Sequence, residues 1–214
     1  MTARDSIAVV IPTIAGREAL LEATVGSYRA HTDSDIEIIV VRDRPTIGQA
    51  WDDGATAALD TGARYLHLTA DDVDPWHGWD DAAITAAERG HYPSPRIVNA
   101  DGTLHSCGTM GGGMLMPDCA DGTPCGTSPF PFMRLADWRH IGPCLPIGYY
   151  ADDYLAFRAR LAGLEPVVAR GYCLTHHEGT VGRQRSVQRS MQDRAAYLAA
   201  IAVDSPTYPV EMAA

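Results

Sequence analysis

Apolar and polar positions along the first hundred residues switch between two periods. Residues 7–11 are an unbroken apolar run leading into Pro12-Thr13, the pattern of a short strand covered on both faces. From Gly16 the repeat lengthens, and Leu20, Leu21, Thr24, Val25 and Tyr28 recur at helical spacing. Residues 36–41, mostly β-branched and apolar, predict a second buried strand. Residues 49–59 predict an alanine-rich helix that Thr61-Gly62 stops. Residues 64–69 predict a third strand and residues 79–89 a third helix, closed by Gly90. This β-α-β-α-β order predicts parallel strands joined by right-handed crossovers. Ligands of such sheets lie beyond the carboxyl ends of the strands, where the chain places Thr13, Asp43 and the acidic cluster at 71–74.

Beyond Pro93 the periodicity fades. Glycine and proline are dense up to Pro146, and a long irregular stretch within a compact domain is usually functional. It predicts short strands and substrate-facing loops. Helix character returns at residues 153–161 and stops at Gly163. Residues 166–169 read as another short strand, and a strand-like run over 167–174 leads into His176-His177-Glu178. A polar, arginine-bearing helix is expected from after Gly182 to about Ala202. At 214 residues the chain suits one α/β domain, because two would each be small. We expect that domain over residues 1–203: one half to about residue 92, a second over 93–182, and a terminal helix over 183–203. Residues 204–214 would be a tail.

Composition changes this picture little. Hydrophobic residues at 46% and charged residues at 21% are ordinary for a globular protein. The net charge of −10 argues against broad, non-specific binding to duplex nucleic acid. No segment approaches the roughly 18 apolar residues of a membrane span, and the first apolar run stops at Pro12 like a strand rather than a signal peptide. Five cysteines, odd in number and irregularly spaced, suit free thiols in a reducing cytoplasm. A zinc site on Cys119, Cys125 and a histidine would lack any CxxC pair.

Three clusters carry candidate chemistry. Asp71, Asp72 and Asp74 are carboxylates at a strand end; they repel one another unless a cation or donors neutralise them. Oxygen ligation of this kind suits Mg²⁺ or Mn²⁺ shared with a diphosphate, and a solvated acidic turn is the plainer alternative. Asp152 and Asp153 open a predicted helix, where aspartate serves equally as an N-cap or as a general base. His176 and His177 follow a strand, and Arg183 and Arg185 beyond them suit either a solvated helix face or a diphosphate clamp.

In their order these landmarks resemble the nucleotide-sugar-dependent glycosyltransferases of the GT-A fold, family 2 in particular, over roughly residues 7–185. Pro12-Thr13 resembles the family's strand-end Pro-Thr. Ala70-Asp71-Asp72, counted back from Gly78-Trp79, resembles its DxD-like motif. Ala151-Asp152 and the Ala162-Gly163 that follows resemble its acidic pair and Ala-Gly, and His176-His177-Glu178-Gly179 its late histidine run. The resemblance implies a single GT-A domain with a mainly parallel central sheet flanked by helices. It implies a nucleotide diphosphate-sugar donor bound by Pro12, Thr13, Asp43, Asp71, Arg183 and Arg185, and Mn²⁺ or Mg²⁺ on Asp72, Asp74 and His176. Asp152, with Asp153 beside it, would act as catalytic base in an inverting transfer. The acceptor stays open among saccharide, lipid-linked sugar, protein and modified nucleotide, the lack of a membrane helix mildly disfavouring the lipid. Because Ala70 and Ala151 replace expected acids, a non-catalytic nucleotide- or sugar-binding protein is the alternative, and a metal-dependent phosphoester hydrolase a more distant one.

Overall fold

The computed structural model describes residues 5–110, 114–177 and 187–205. The chain runs β1 (Ser6–Thr13), α1 (Glu18–His31), β2 (Asp35–Arg42), α2 (Ile47–Ala58), β3 (Tyr65–Leu68), β4 (Val73–Pro75) and α3 (Trp79–Glu88). It continues through β5 (His91–Asn99), β6 (Leu104–Ser106), β7 (Phe132–Arg134), α4 (Leu135–Ile141), α5 (Ala151–Leu161), β8 (Glu165–His176) and α6 (Val187–Asp204). Two four-stranded sheets form, ordered β2-β1-β3-β7 and β4-β8-β5-β6. In the first, β1 pairs in parallel with β2 and β3, and β7 closes the edge in the antiparallel sense. The expected β-α-β-α-β unit is therefore present.

Strand β1 explains why two cores exist. Its residues Ile7 to Ile11 are all fully buried, and their side chains alternate between faces. Ala8 and Val10 join a core containing Trp51 of α2, Trp138 of α4, Leu155 of α5 and Tyr197 of α6. Ile7, Val9 and Ile11 join the other, with Tyr28 of α1, Trp79 of α3 and Tyr172 of β8. Helix α2 lies so close to β1 that a side chain at Gly54 would collide with Val10. Strand β2 departs from expectation. It is the sheet edge and is only half-buried, with Ile36 and Ile38 packed against one core and Ile39 and Val41 against the other.

The second sheet was harder to foresee. Strand β5 contains Pro93 and Pro95, which argue against a central strand. Two residues apart, both prolines lack their N–H on the same side. Partner β6 reaches only Ile97 and Val98, so this stretch of β5 pairs in parallel with β8 alone. Strand β8 spans 12 residues rather than the short segment expected, and is interrupted between Ala169 and Cys173, where its register against β5 shifts.

His67 of β3 sits at the centre of the second core, fully buried among the rings of Tyr28, Trp79, Phe132 and Tyr172. Its Nδ1 lies 3.3 Å from the Pro131 carbonyl and its Nε2 2.7 Å from the Tyr28 hydroxyl. Both ring nitrogens therefore have hydrogen-bonding partners without the ring carrying a charge. Burial lowers the His67 pKa from 6.5 to about 3, although the Pro131 carbonyl favours the charged form. Above the unfolded value the neutral ring is fully accommodated. As pH falls from 6.5 towards 3, only the unfolded chain takes up this proton, so stability falls by up to about 1.4 kcal/mol per pH unit. Because the buried Asp152–Asp153 pair titrates in the same window with the opposite sign, urea titrations between pH 7 and 4 should show the His67 contribution as a difference in slope between the native chain and His67→Gln, whatever the variant's absolute stability. An unchanged slope in the variant would clear His67 of that contribution.

Candidate active site

The site is built where β1, β3 and β8 end. After Thr13 the chain makes a type II turn, in which the Arg17 N–H donates to the Ile14 carbonyl at 3.3 Å and Gly16 takes φ +86°. That angle favours glycine, which has no Cβ to clash. The Ala15 N–H donates to Asp43 Oδ1 at 2.9 Å, so the end of β2 anchors the turn. Asp43 itself adopts φ 56° and is exposed. The turn returns the Arg17 side chain to the acidic cluster, where its Nη2 lies 2.7 Å from Asp71 Oδ1 and 2.8 Å from Asp72 Oδ2.

The two aspartates then diverge. Thr13 Oγ1 donates to Asp71 Oδ2 at 2.6 Å, and Thr24 Oγ1 to the Asp71 carbonyl at 2.9 Å. Burial pushes the Asp71 pKa up more than Thr13 and Arg17 pull it down, and the charge of Asp72 adds to the rise. Burial also opposes ionisation of Asp72, but His176 and Arg17 outweigh it and hold that carboxyl below its ordinary value. His176 Nε2 is 3.5 Å from Asp72 Oδ1, with the Phe130 ring packed edge-on at 5.5 Å between centroids.

Asp74 does not join this pair. Strand β4 pairs antiparallel with β8, matching Val73 with His176 and Asp74 with Thr175. Side chains alternate between faces, so Asp74 points to the opposite side from His176 and meets His177 instead, at 2.8 Å. Trp76 joins it there through an indole N–H to Thr175 Oγ1 at 2.9 Å. Of the three residues expected to share a metal, the structure brings Asp72 and His176 together and turns Asp74 away from them. Among the described residues no group of three histidine, cysteine or acidic side chains could hold an ion. Two donors still fit Mg²⁺ or Mn²⁺, which are commonly bound by one or two protein ligands with substrate phosphates and water completing the shell. Arg183 and Arg185 lie outside the described residues.

Asp152 and Asp153 occupy the first turn of α5. Trp51 of α2 donates its indole N–H to the Thr69 carbonyl at 2.9 Å, two residues before Asp71. The start of α2 also packs against the segment preceding α5: the Gly48 N–H donates to the Ile147 carbonyl at 3.1 Å, and any side chain at Gly48 would strike the Leu145 carbonyl. Helix α2 thereby links the α5 start to the end of β3. Burial, then the neighbouring charge of Asp153, push the Asp152 pKa well above the usual carboxylate range. Asp153 is raised to about 6, mainly by burial. Both still accept backbone N–H groups of the first turn, but neither is the N-cap: that position is Tyr150, and no side chain caps the helix.

Two contributors escaped the sequence. Arg17 is the residue just before α1, and no local pattern marks it. Asp193 lies on α6, yet its Oδ2 accepts the Gly148 and Tyr149 N–H groups at 2.9 and 3.0 Å, and Arg189 pairs with its Oδ1 at 3.0 Å. Next to these, Tyr150 takes φ 66° and stacks on Tyr197 of α6, centroids 5.5 Å apart. Helix α6 therefore fixes the turn that delivers Asp152. Only the local spacing of Arg189 and Asp193 was visible in the chain.

Comparison of the structure with solved proteins defines the fold: it is the GT-A fold of glycosyltransferases. GalNAc-T7, solved with UDP, GalNAc and Mn²⁺, superposes with a TM-score of 0.65 at 14% identity, covering 91% of this chain and 48% of that one. S. aureus TarS 1–349 superposes with a TM-score of 0.66 at 12% identity, covering 93% and 65%, and a longer TarS structure gives 0.64 at 12%, covering 93% and 39%. This chain thus spans from 39% to 65% of the length of these neighbours. No protein-family model and no curated protein matches the sequence. Among the described residues, no helix is long and apolar enough to cross a membrane.

Replacing Asp193 by alanine strips two backbone N–H groups of their acceptor. Chemical denaturation should show a loss of about 1–3 kcal/mol. Arg189→Ala, which leaves those N–H groups bonded, should cost clearly less; equal losses would reduce Asp193 to an ion-pair partner.

Proposed function

We propose that this protein is a glycosyltransferase that moves a sugar from a nucleoside diphosphate-sugar to an acceptor hydroxyl with inversion at the anomeric carbon. The observation that carries this reading is the meeting of Thr13, Asp71, Asp72 and His176 at the strand ends of a GT-A fold. The nucleobase and ribose would lie over Pro12, Thr13, Asp43 and Asp71, and the diphosphate beside Asp72, with Arg183 and Arg185 as further contacts. Mn²⁺ or Mg²⁺ on Asp72 and His176 would supply charge compensation to the departing diphosphate. Cytoplasmic location and a saccharide, protein or modified-nucleotide acceptor complete the proposal.

Asp152 is the proposed base. Its carboxylate accepts the acceptor's hydroxyl proton as the acceptor oxygen bonds to the anomeric carbon from the face opposite the nucleotide. The bond from that carbon to the diphosphate oxygen breaks, and the nucleoside diphosphate leaves with the electron pair. A carboxyl with a raised pKa is a better proton acceptor when ionised, and the operating pH must lie high enough to ionise it.

The pH dependence follows with a definite sign. The Asp152–Asp153 pair holds protons more tightly when folded than when unfolded, so its stability contribution is present in acid and is lost as pH rises through the folded values. Asp152→Asn removes one charge from the buried pair. At pH 8 it should raise the melting temperature while lowering kcat roughly 10²–10⁴-fold. A variant that is stabilised yet fully active would remove Asp152 from the chemistry.

Donor identity is tested directly by thermal shift with a panel of nucleoside diphosphates and their sugars, with and without Mn²⁺, because a ligand that binds only the folded state raises the melting temperature. One responsive nucleotide is expected, and Thr13→Val should weaken the response. Stabilisation by a sugar nucleotide without transfer or hydrolysis would favour the non-catalytic binder; silence across the panel would overturn the nucleotide-sugar reading.

A further inference from the structure

Arg17 is the least expected member of the site. A single nitrogen, Nη2, lies within 2.8 Å of both Asp71 and Asp72, so one positive charge is shared by two adjacent carboxylates. The side chain is only 10% exposed, and its buried Nε has no hydrogen-bond partner among the described residues. A buried donor left unmatched is costly. The cluster is thus partly neutralised from within the chain, while the guanidinium retains capacity to donate.

The position matters because Asp72 is divided between two claimants. Its Oδ2 accepts from Arg17, and its Oδ1 faces His176 at 3.5 Å, on the side where a cation would bind. A divalent ion there would share one carboxylate with a fixed positive charge a few ångströms away. Such like charges repel in proportion to the product of their charges. Asp71 and Asp72 offset part of this, but Asp72 then has to serve both cations at once. A diphosphate changes the balance, since its negative charge offsets the repulsion between the two cations.

We propose that Arg17 is a resident counter-ion that keeps divalent metal off Asp72 and His176 until a nucleoside diphosphate is bound. Metal and nucleotide then bind in a mutually dependent way, each raising the other's affinity by the same factor. This rests on the nucleotide-sugar reading above for the ligand, but the exclusion of metal by Arg17 is testable without any nucleotide.

Mn²⁺ binding to the full chain is measured by electron paramagnetic resonance, which reports free ion independently of activity. The native protein alone should bind Mn²⁺ weakly. Arg17→Gln should bind it roughly tenfold more tightly or better. Arg17→Lys, which keeps the charge, should resemble the native protein. Adding Asp72→Asn to Arg17→Gln should abolish the gain and so locate it. UDP and the other common nucleoside diphosphates are then added: one should tighten Mn²⁺ binding in the native protein, and by a smaller factor in Arg17→Gln. If Arg17→Gln binds Mn²⁺ no better than the native chain, or the gain survives Asp72→Asn, the counter-ion role is overturned even where nucleotide binds. If the gain appears but no nucleotide has any effect, exclusion by Arg17 stands and the nucleotide-sugar reading fails. Should Arg17→Gln not fold, tight Mn²⁺ binding to the native chain without nucleotide overturns the proposal on its own.

Discussion

Asp71 and Asp72 are neighbouring carboxylates withdrawn from water at the end of a buried strand, and a single guanidinium answers both. Burying two like charges costs several kcal/mol per ion unless partners are already in place. The surrounding architecture reads as the supply of those partners. Thr13 is carried to Asp71 by the parallel pairing of β1 with β3. Arg17 is carried there by a turn whose shape depends on Gly16 and whose position depends on Asp43 of β2. His176 arrives through the pairing of β4 with β8. Removing Arg17 would weaken the compensation of both carboxylates, whereas removing Thr13 or His176 would leave one of them resting on Arg17.

The second carboxylate pair obeys the opposite rule. No arginine bridges Asp152 and Asp153 among the described contacts; their partners are the N–H groups at the start of α5, together with a more distant influence of Arg160 on Asp153. With less compensation, burial shows itself as raised proton affinity. The contrast separates the roles that the proposed reaction requires. Asp72 is held ionised, as a ligand of cations must be, whereas Asp152 is made avid for a proton, as a base must be.

Much of this was legible in the chain, and what was not has physical reasons. The β1 to β3 unit and helices α1 to α3 follow from periodicity, because a strand buried on both faces and a helix with one apolar stripe leave distinct patterns. Thr13, Asp71 and Asp72 were located by their place at strand ends. Asp74 was misplaced because the acidic cluster looked like a loop, whereas residues 73–75 form a strand and alternation sends alternate side chains apart. Arg17 was overlooked because its partners lie more than 50 residues away, a contact that no local pattern encodes. Asp193 escaped for the same reason, being over 40 residues from the turn that it holds. The prolines of β5 hid a strand that only its one-sided pairing permits.

The interrupted register of β8 joins the second core to the site. Against β5, Pro95 matches Ala169 but Arg96 matches Cys173, so Arg170, Gly171 and Tyr172 are extra. An odd insertion reverses which side chains of β8 share a face with their β5 partners. Within the insertion, Tyr172 turns inward, donates to the Phe130 carbonyl at 2.7 Å and reaches His67 Nδ1 at 3.1 Å. Phe130 in turn packs its ring on His176. One irregularity thus sets the phase that directs His176, rather than His177, towards Asp72, and fastens the ring beneath it to the buried histidine network. The titratable group at the centre of the core and the one at the edge of the site are linked by two aromatic residues. His176 is thus tied to the core that holds His67, whereas the turn before Asp152 is held from the other core by α6.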